Sequence, residues 1–136
     1  MQDRFKFRFF DVENEEMYDV SAIDFLHSIG EIVSLDGLET LICKLDLDSL
    51  IPCTGKKDRN GILAYEGDIV EQSSFTGKNA DKHKRYLIVG DTSGTGFQLK
   101  QINPAKYDHS YWYINRLQYD YNVIGNKFEN PELLEE

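Results

Sequence analysis

The sequence predicts a mostly β fold made of many short antiparallel strands, and two observations support this prediction. Aromatic residues make up 12% of the 136 residues, chiefly eight Phe and eight Tyr, and these types suit pleated, half-buried surfaces better than helix interiors. Short apolar or alternating runs recur along the chain, separated by Gly, Asn and Asp turn signals. We therefore expect a barrel-like or strongly bent sheet with one or two short helices.

The first twenty residues predict a β-hairpin. Phe5, Phe7 and Phe9 alternate with polar residues, which is typical of a strand with one buried face. Residues 11–16 are polar enough to form the connection, and residues 17–20 can return as the second strand. Further strands are predicted for residues 22–26, 31–35, 38–44, 50–53, 62–65, 68–71, 85–89, 97–100 and 119–125.

The segments between these strands carry loop and helix signals. Residues 56–61 form a polar loop that ends in an Asn-Gly pair, and residues 73–84 are small, polar and basic, as in an exposed loop. Residues 111–117 have apolar side chains at helical spacing, so we expect a short helix there. A second short helix is expected near the C-terminus, with Asn130 as its N-cap and Pro131 at its first position.

Length and composition fit one globular domain over residues 1–136. Hydrophobic residues make up 40% and charged residues 29% of the chain, which excludes a disordered composition. The formal net charge is −9, and residues 1–52 hold twelve acidic and four basic side chains. Such a chain repels phosphate groups, so general nucleic-acid binding would need a local basic patch. Without a secretory signal or a run of membrane-spanning length, we expect a cytoplasmic protein with no membrane partner.

Four blocks of sequence carry a family resemblance. They are CTGKKDRNG at residues 53–61, YEGDIV at 65–70, FKFR at 5–8 and NVIGNKFENPEL at 122–133. Together and in this order they resemble the YopX protein family. The resemblance implies a YopX-like domain over residues 1–136, a phage or prophage of Gram-positive bacteria as its source, a mostly β fold and no assigned activity.

The central blocks also have structural explanations. Residues 54–61 can form a tight connection, and residues 66–70 resemble the turn that leads into a strand in small SH3-like barrels. We expect Gly67 and Gly125 to serve the backbone through a positive φ angle, so that a β-branched replacement would destabilise the fold.

The sequence supplies no set of residues that predicts catalysis. His27, His83 and His109 have no metal-ligand spacing, and no nucleophile or phosphate-binding motif is present. Cys43 and Cys53 are expected to be reduced, partly buried thiols. We therefore predict no enzyme, no catalytic residue, no cofactor and no metal. One alternative remains open: Glu66 and Asp68, if both lie in a strand, could form a surface carboxylate pair for a hard cation.

A basic loop is the local candidate for contact with nucleic acid or an acidic partner. Its charged residues are Lys78, Lys82, His83, Lys84 and Arg85. The flanking aromatic residues do not interleave with these charges, so an ordinary solvated loop explains the segment as well.

An acidic surface is the second candidate. Carboxylates near the N-terminus could imitate the phosphate spacing of DNA and occupy the basic groove of a host protein. They are Asp11, Glu13, Glu15, Glu16 and Asp19. If these side chains were spread over several faces, this reading would fail.

An aromatic cluster is the third candidate. It consists of Tyr107, Tyr111, Trp112 and Tyr113, with Tyr119 and Tyr121 further along the chain. Tyr and Trp are favoured interface anchors, so the cluster predicts self-association, unless these rings complete the core of the monomer. Together with the phage source that the family resemblance implies, these patterns lead us to expect a phage accessory protein that binds a host or phage protein and forms a homo-oligomer. The alternatives are a nucleic-acid-associated protein that uses the basic loop and an acidic DNA mimic.

Overall fold

The computed structural model describes residues 6–72, 84–91, 96–102 and 111–134, and strands dominate these residues. The strands are β1 (Phe7–Asp11), β2 (Glu16–Asp24), β3 (Ile29–Ser34), β4 (Thr40–Lys44), β5 (Leu50–Lys57), β6 (Leu63–Tyr65), β7 (Asp68–Gln72), β8 (Arg85–Gly90), β9 (Phe97–Gln101), β10 (Tyr111–Tyr113) and β11 (Tyr121–Asn126). Helical structure within the described ranges consists of α1 (Leu117–Asp120) and 3-10 turns at Leu47–Ser49, Ile114–Arg116 and Pro131–Leu134. The mostly β prediction is confirmed.

The strands form two antiparallel sheets. The six-stranded sheet has the order β4-β3-β2-β1-β5-β6, and the five-stranded sheet has the order β10-β9-β8-β7-β11. Each sheet ends on two edge strands, so the strands of the described residues form open sheets and no closed barrel. Register shifts mark bulges in β2, β5 and β11, and bulges of this kind bend a strand locally.

The predicted N-terminal hairpin is confirmed, with one correction. β1 pairs with β2 from Phe7 opposite Val20 to Asp11 opposite Glu16. However, β1 does not have one buried and one exposed face, because all five of its residues are partly buried. Phe9 packs on one side of the strand and Phe10 on the other, each against a different part of the core. A strand that is covered on both faces loses the simple alternation that the sequence suggests.

Within the described residues, the core consists of three clusters of buried residues. The first cluster lies mainly in the five-stranded sheet and contains Ala64, Val70, Tyr86, Ile88, Leu99, Leu117 and Tyr121. The second cluster contains Met17, Ile51, Cys53 and Tyr65, and the third contains Tyr18, Ile32 and Leu45. The neighbours Met17 and Tyr18 belong to different clusters, so β2, like β1, is covered on both faces at this point.

The C-terminal third departs from the prediction in two places. Residues 111–113 are the strand β10 and not the start of a helix, because they pair with β9, with Trp112 opposite Leu99. Helical structure begins only at Ile114, and the last strand begins at Tyr121, two residues later than predicted. The terminal helix is a 3-10 turn that begins at Pro131, directly after Asn130, as predicted, and Oδ1 of Asn130 accepts the Asn126 N–H.

The predicted positive φ angle is confirmed for Gly67 and is wrong for Gly125. Gly67 has a φ of +91°, in the left-handed region that favours glycine. Gly125 lies outside that region, but a Cβ there would lie 2.6 Å from Oδ1 of Asn130. Gly125 is therefore required by a close approach, and not by its backbone angle.

Replacement of Gly67 by alanine should lower the free energy of unfolding by about 2–3 kcal/mol. The positive φ costs an L-residue about 1–2 kcal/mol, and a Cβ would also lie 2.8 Å from Cε2 of Phe128. Gly37→Ala is the matched control, because Gly37 has a φ of +78° but no atom within 4 Å of a Cβ. Urea denaturation measures both losses, and equal losses would show that the Phe128 contact contributes nothing.

Candidate functional site

The carboxylate of Asp58, in the first central block, binds two separate parts of the chain. Its Oδ1 accepts hydrogen bonds from the N–H groups of Asn60 at 2.8 Å and Ile62 at 2.9 Å, which close the loop after β5. Its Oδ2 accepts a hydrogen bond from the N–H of Val123 in β11, at 2.8 Å. Asp58 is buried, so these bonds satisfy the carboxylate inside the protein. The side chain thus connects this loop to the five-stranded sheet.

Two further contacts strengthen this connection. The N–H of Arg59 donates to the carbonyl of Tyr121 at 2.9 Å, and Nδ2 of Asn60 donates to Oδ1 of Asn122 at 3.1 Å. β11 is an edge strand, with β7 as its one neighbour in the sheet. The loop therefore covers the outer side of β11 and protects an edge that would otherwise be open to pairing.

A second connection joins the block at residues 65–70 to the terminal block. The N–H of Lys127 donates to the carbonyl of Gly67 at 2.8 Å, and the ring of Phe128 lies against Gly67. The Phe128 ring centre is also 5.6 Å from that of Phe10. Oδ1 of Asn126 accepts the N–H groups of Phe128 and Glu129, which holds this turn in place. The blocks that carry the family resemblance therefore meet in space.

Asp68 is a buried carboxyl group at the start of β7. Its Oδ2 accepts the N–H of Tyr65 at 2.8 Å, and burial raises its pKa to about 7. The hydrogen bond from the Tyr65 N–H and the charge of Arg8 lower this pKa in part. The Arg8 guanidinium also binds Asp19 at 3.1 Å and lies 4.2 Å from the Tyr65 ring centre. Asp68 therefore acts as a backbone acceptor that holds a proton near neutral pH.

The proposed carboxylate pair of Glu66 and Asp68 does not form a shared surface site. Glu66 lies in the turn before β7, whereas Asp68 is buried and directed to the Tyr65 N–H. The described ranges contain no group of three or more His, Cys, Asp or Glu residues placed to hold a metal ion. Nδ1 of His27 lies 2.8 Å from Oδ2 of Asp24, and Cys43 and Cys53 are free cysteines, the first partly buried and the second buried.

Several open hollows occur on the surface of the described part of the chain. One of about 390 Å³ is lined by Lys6, Phe7, Arg8, Asp19, Val20, Ile62, Leu63 and Tyr65. Another of about 250 Å³ lies between β5 and the helical segment, with Lys56, Lys57 and Gln118 in its wall. A third of about 270 Å³ contains Phe10, Glu66 and Phe128. The walls of these three hollows contain neither histidine nor cysteine.

The basic loop is described only at its end. Lys78, Lys82 and His83 lie outside the described residues. Arg85 begins β8 and forms an ion pair with Glu71, with Nε 3.5 Å from Oε2. Lys84 precedes it, and its carbonyl accepts the N–H of Gln72.

Most of the acidic N-terminal residues have local partners. Asp11 accepts the backbone N–H of Glu13 in the hairpin turn, and Asp19 binds Arg8. Glu16 accepts the hydroxyl of Tyr18 at 2.7 Å, and this hydrogen bond raises the pKa of Tyr18 to about 12. Three of the five predicted carboxylates therefore have hydrogen-bond partners within the chain: Asp11, Glu16 and Asp19.

The aromatic cluster divides between core and surface. Tyr121 belongs to the first cluster, whereas Tyr111, Trp112 and Tyr113 form the edge strand β10 and are exposed, Tyr113 to 85%. The ring of Trp112 meets that of Tyr86 edge to face at 6.5 Å. Tyr107 lies outside the described residues. Part of the cluster is thus available for contact with another protein.

A second exposed edge was missed by sequence reasoning. β4 ends the six-stranded sheet, and its Leu41 and Ile42 are 48% and 74% exposed. Large apolar side chains near this end of the sheet are also exposed: Phe25, Leu26, Leu35 and Leu38. The adjacent apolar residues Leu41 and Ile42 were a signal of this edge in the sequence. Neighbours in a strand point to opposite faces of the sheet, so one of these two side chains lies on the face that the core does not cover.

No helix in residues 6–72, 84–91, 96–102 and 111–134 is long and apolar enough to cross a membrane.

Comparisons with known proteins identify a family and a fold relative. A family model described as YopX protein matches residues 6–135. The crystal structure of protein EF1440 from Enterococcus faecalis is similar, with 26% sequence identity and a TM-score of 0.57. That similarity covers 96% of this chain and 97% of the other. Among curated proteins, none matches the chain.

Replacement of Asp58 by alanine should lower the free energy of unfolding by about 3 kcal/mol, since three partly buried hydrogen bonds to backbone N–H groups lose their acceptor. Asp58→Asn should lose less, because it keeps one acceptor oxygen. Asn60→Ala is the control within the same loop, since it removes only an exposed side-chain bond. Denaturation in urea measures the three values. A loss for Asp58→Ala no larger than that for Asn60→Ala would contradict the bridging role.

Asp68 should make the fold less stable as the pH rises from about 4 to about 7. Its pKa is raised from 3.8 to about 7 in the folded chain, so the folded state keeps a proton that the unfolded state releases. A pKa difference of about 3 corresponds to roughly 4 kcal/mol. Asp68→Asn keeps an acceptor for Tyr65 without titrating, so it should exceed the parent in stability above pH 7 and lose this advantage near pH 4.

Asp36→Asn provides a control of opposite sign. Hydrogen bonds from the Ser34 hydroxyl and the Leu38 N–H lower the pKa of the exposed Asp36. The ionised Asp36 therefore adds to the free energy of unfolding above pH 4, and this stabilisation is lost when the pH falls below that value. Thermal denaturation from about pH 2 to about pH 8 compares both variants with the parent, and parallel curves for Asp68→Asn and the parent would refute the assignment to Asp68.

Proposed function

The chain belongs to the YopX protein family, and from this premise we propose that it is a phage or prophage accessory protein that acts through protein–protein contacts in the bacterial cytoplasm. In this proposal it has no enzymatic activity and it self-associates. Its partner is a host or phage protein.

One observation carries the proposal: large apolar side chains are exposed on the edge strands of both sheets. β10 presents Tyr111, Trp112 and Tyr113, and β4 presents Leu41 and Ile42. Edge strands present N–H and C=O groups that can pair with another chain, and aromatic side chains are favoured anchors at interfaces. The buried polar groups of the family blocks, by contrast, are bound to backbone groups of the same chain. Contact with other proteins is thus the role that the exposed residues serve best.

Electrostatics favours a protein over a nucleic acid as the partner. The net charge is −9, which opposes the approach of a phosphate backbone. Arg85, at the end of the basic loop, is paired with Glu71. A nucleic-acid role would therefore depend on Lys78, Lys82 and His83, and the DNA-mimic role on carboxylates that are partly bound within their own hairpin.

Affinity capture tests the proposal directly. The tagged full-length chain is incubated with a lysate of its bacterial host, with and without nuclease, and the recovered proteins are identified. We expect a defined protein partner to be retained after nuclease treatment, because the proposed contacts do not involve nucleic acid. Recovery that disappears with nuclease would instead support the basic loop, and a charge-reversed variant of Lys78, Lys82 and Lys84 would then abolish it.

A further inference from the structure

The hydrogen-bond register of β4 determines which of its backbone groups point outward. In an antiparallel pair, residues exchange backbone hydrogen bonds at every second position. At one end of the β3–β4 ladder the N–H of Ser34 donates to the carbonyl of Glu39, and beyond the other end the N–H of Leu45 donates to that of Ser28. Both bonds fit the register in which Ile32 lies opposite Leu41. The residues of β4 that bind β3 are therefore the odd-numbered ones.

The even-numbered residues of β4 consequently direct their backbone groups away from the sheet. These residues are Thr40, Ile42 and Lys44. No strand of the described residues pairs with this side of β4, which is the end of the six-stranded sheet. The strand contains no proline and no bulge, and its one charged residue is Lys44 at the end. Edge strands that avoid pairing normally carry such protective features along their length.

Both faces of β4 are apolar at its centre. Leu41 and Cys43 lie on the face that packs against the third cluster, since Leu41 is opposite Ile32 and Cys43 contacts that cluster. Leu41 remains 48% exposed there, so the cluster is open at the edge of the sheet. Ile42 points to the other face and is 74% exposed. A strand added to this edge would cover both side chains.

A second copy of β4 matches this edge. A twofold axis perpendicular to the sheet makes the two β4 strands antiparallel and leaves each face of the sheet on the same side in both copies. Residues that lie opposite each other across the axis therefore point to the same face. With the axis at Ile42, Thr40 lies opposite Lys44 of the partner subunit, and all outward backbone groups are paired. Leu41 then lies opposite Cys43 of the partner subunit, which extends the third cluster across the junction, and Ile42 meets Ile42 of the partner subunit.

We propose that the chain forms a twofold dimer in which β4 pairs antiparallel with β4 of a second copy, with Ile42 at the axis. The two six-stranded sheets join into one continuous sheet. This inference rests on the self-association in the proposed function and identifies the surface that mediates it, which leaves the aromatic edge β10 for another partner.

Charge sets the conditions under which the dimer forms. Residues 1–52, which include β4, hold twelve acidic and four basic side chains, so two copies repel each other. Salt screens this repulsion over a distance of about 8 Å at physiological ionic strength. Dimerisation should therefore strengthen with added salt. A short strand pair is a small interface, so the dissociation constant should lie in the micromolar range or above.

Sedimentation equilibrium of the full chain, from about 1 to 500 µM at low and high salt, measures the association. Ile42→Pro removes an outward N–H and leaves the β3–β4 hydrogen bonds intact, while Ile42→Lys places a charge at the axis. Each should raise the dissociation constant more than about tenfold. Val12→Lys is the matched control, because Val12 is 77% exposed but lies in the β1–β2 turn. Circular dichroism shows that all variants remain folded.

Disulfide crosslinking tests the register. In the Cys43→Ser background, Ile42→Cys places identical thiols opposite each other at a Cα separation of about 5.5 Å, within the range of a disulfide. Oxidation should give a covalent dimer for Ile42→Cys and not for Val12→Cys in the same background. Equal crosslinking of the two variants would overturn the register.

The remaining outcomes separate this inference from the proposed function. If the parent associates, Ile42→Pro associates equally, and Tyr113→Lys dissociates, the β4 pairing is wrong while self-association stands through β10. If the parent remains monomeric up to 500 µM at both salt concentrations, dimerisation fails altogether. In that case a protein retained by the parent chain in the capture experiment still supports the binding role. If the Ile42→Pro variant no longer retained that protein, the β4 edge would bind this partner and not a second copy.

Discussion

Three backbone N–H groups converge on the buried carboxylate of Asp58, and the joining of the two sheets depends on this convergence. Two of them belong to the loop after β5, and the third, from Val123, belongs to the last strand. A carboxylate can satisfy this many donors because each oxygen has two acceptor positions. The same loop covers the outer side of β11. One side chain therefore closes a loop, connects distant parts of the chain and protects a sheet edge.

The turn at Gly67 imposes the second constraint. Its positive φ and the absence of a Cβ allow the Phe128 ring to pack directly on the backbone, and Lys127 then binds the Gly67 carbonyl. Asp68 follows at once and is buried, and this burial raises its pKa, whereas the hydrogen bond that it accepts from the Tyr65 N–H lowers it. Close packing thus stabilises the turn, but it also buries Asp68, and burial makes the ionised form of this carboxyl group less favourable.

Local features of this fold were predictable from the sequence, whereas its long-range contacts were not. Alternation and turn residues identified the first hairpin and the turn at Gly67, since both depend on near neighbours. Residues 111–113 have helical spacing, but pairing with β9 decides their conformation, and that partner is distant in sequence. The acceptor role of Asp58 requires knowing that Val123 lies beside it. The open edge of β4 likewise depends on strand order, which alternation within one strand does not encode.

The contacts that join the two sheets and the exposed edge strands lie in different parts of the chain. The blocks at residues 53–61, 65–70 and 122–133 contain Asp58, Gly67 and Phe128, whose contacts hold the two sheets together. The exposed edges β4 and β10 lie outside all these blocks. Several residues that carry the resemblance therefore also hold the architecture together. Since an edge strand can change its side chains without altering the backbone that pairs with its neighbour, substitutions on β4 and β10 can leave the joined sheets unchanged.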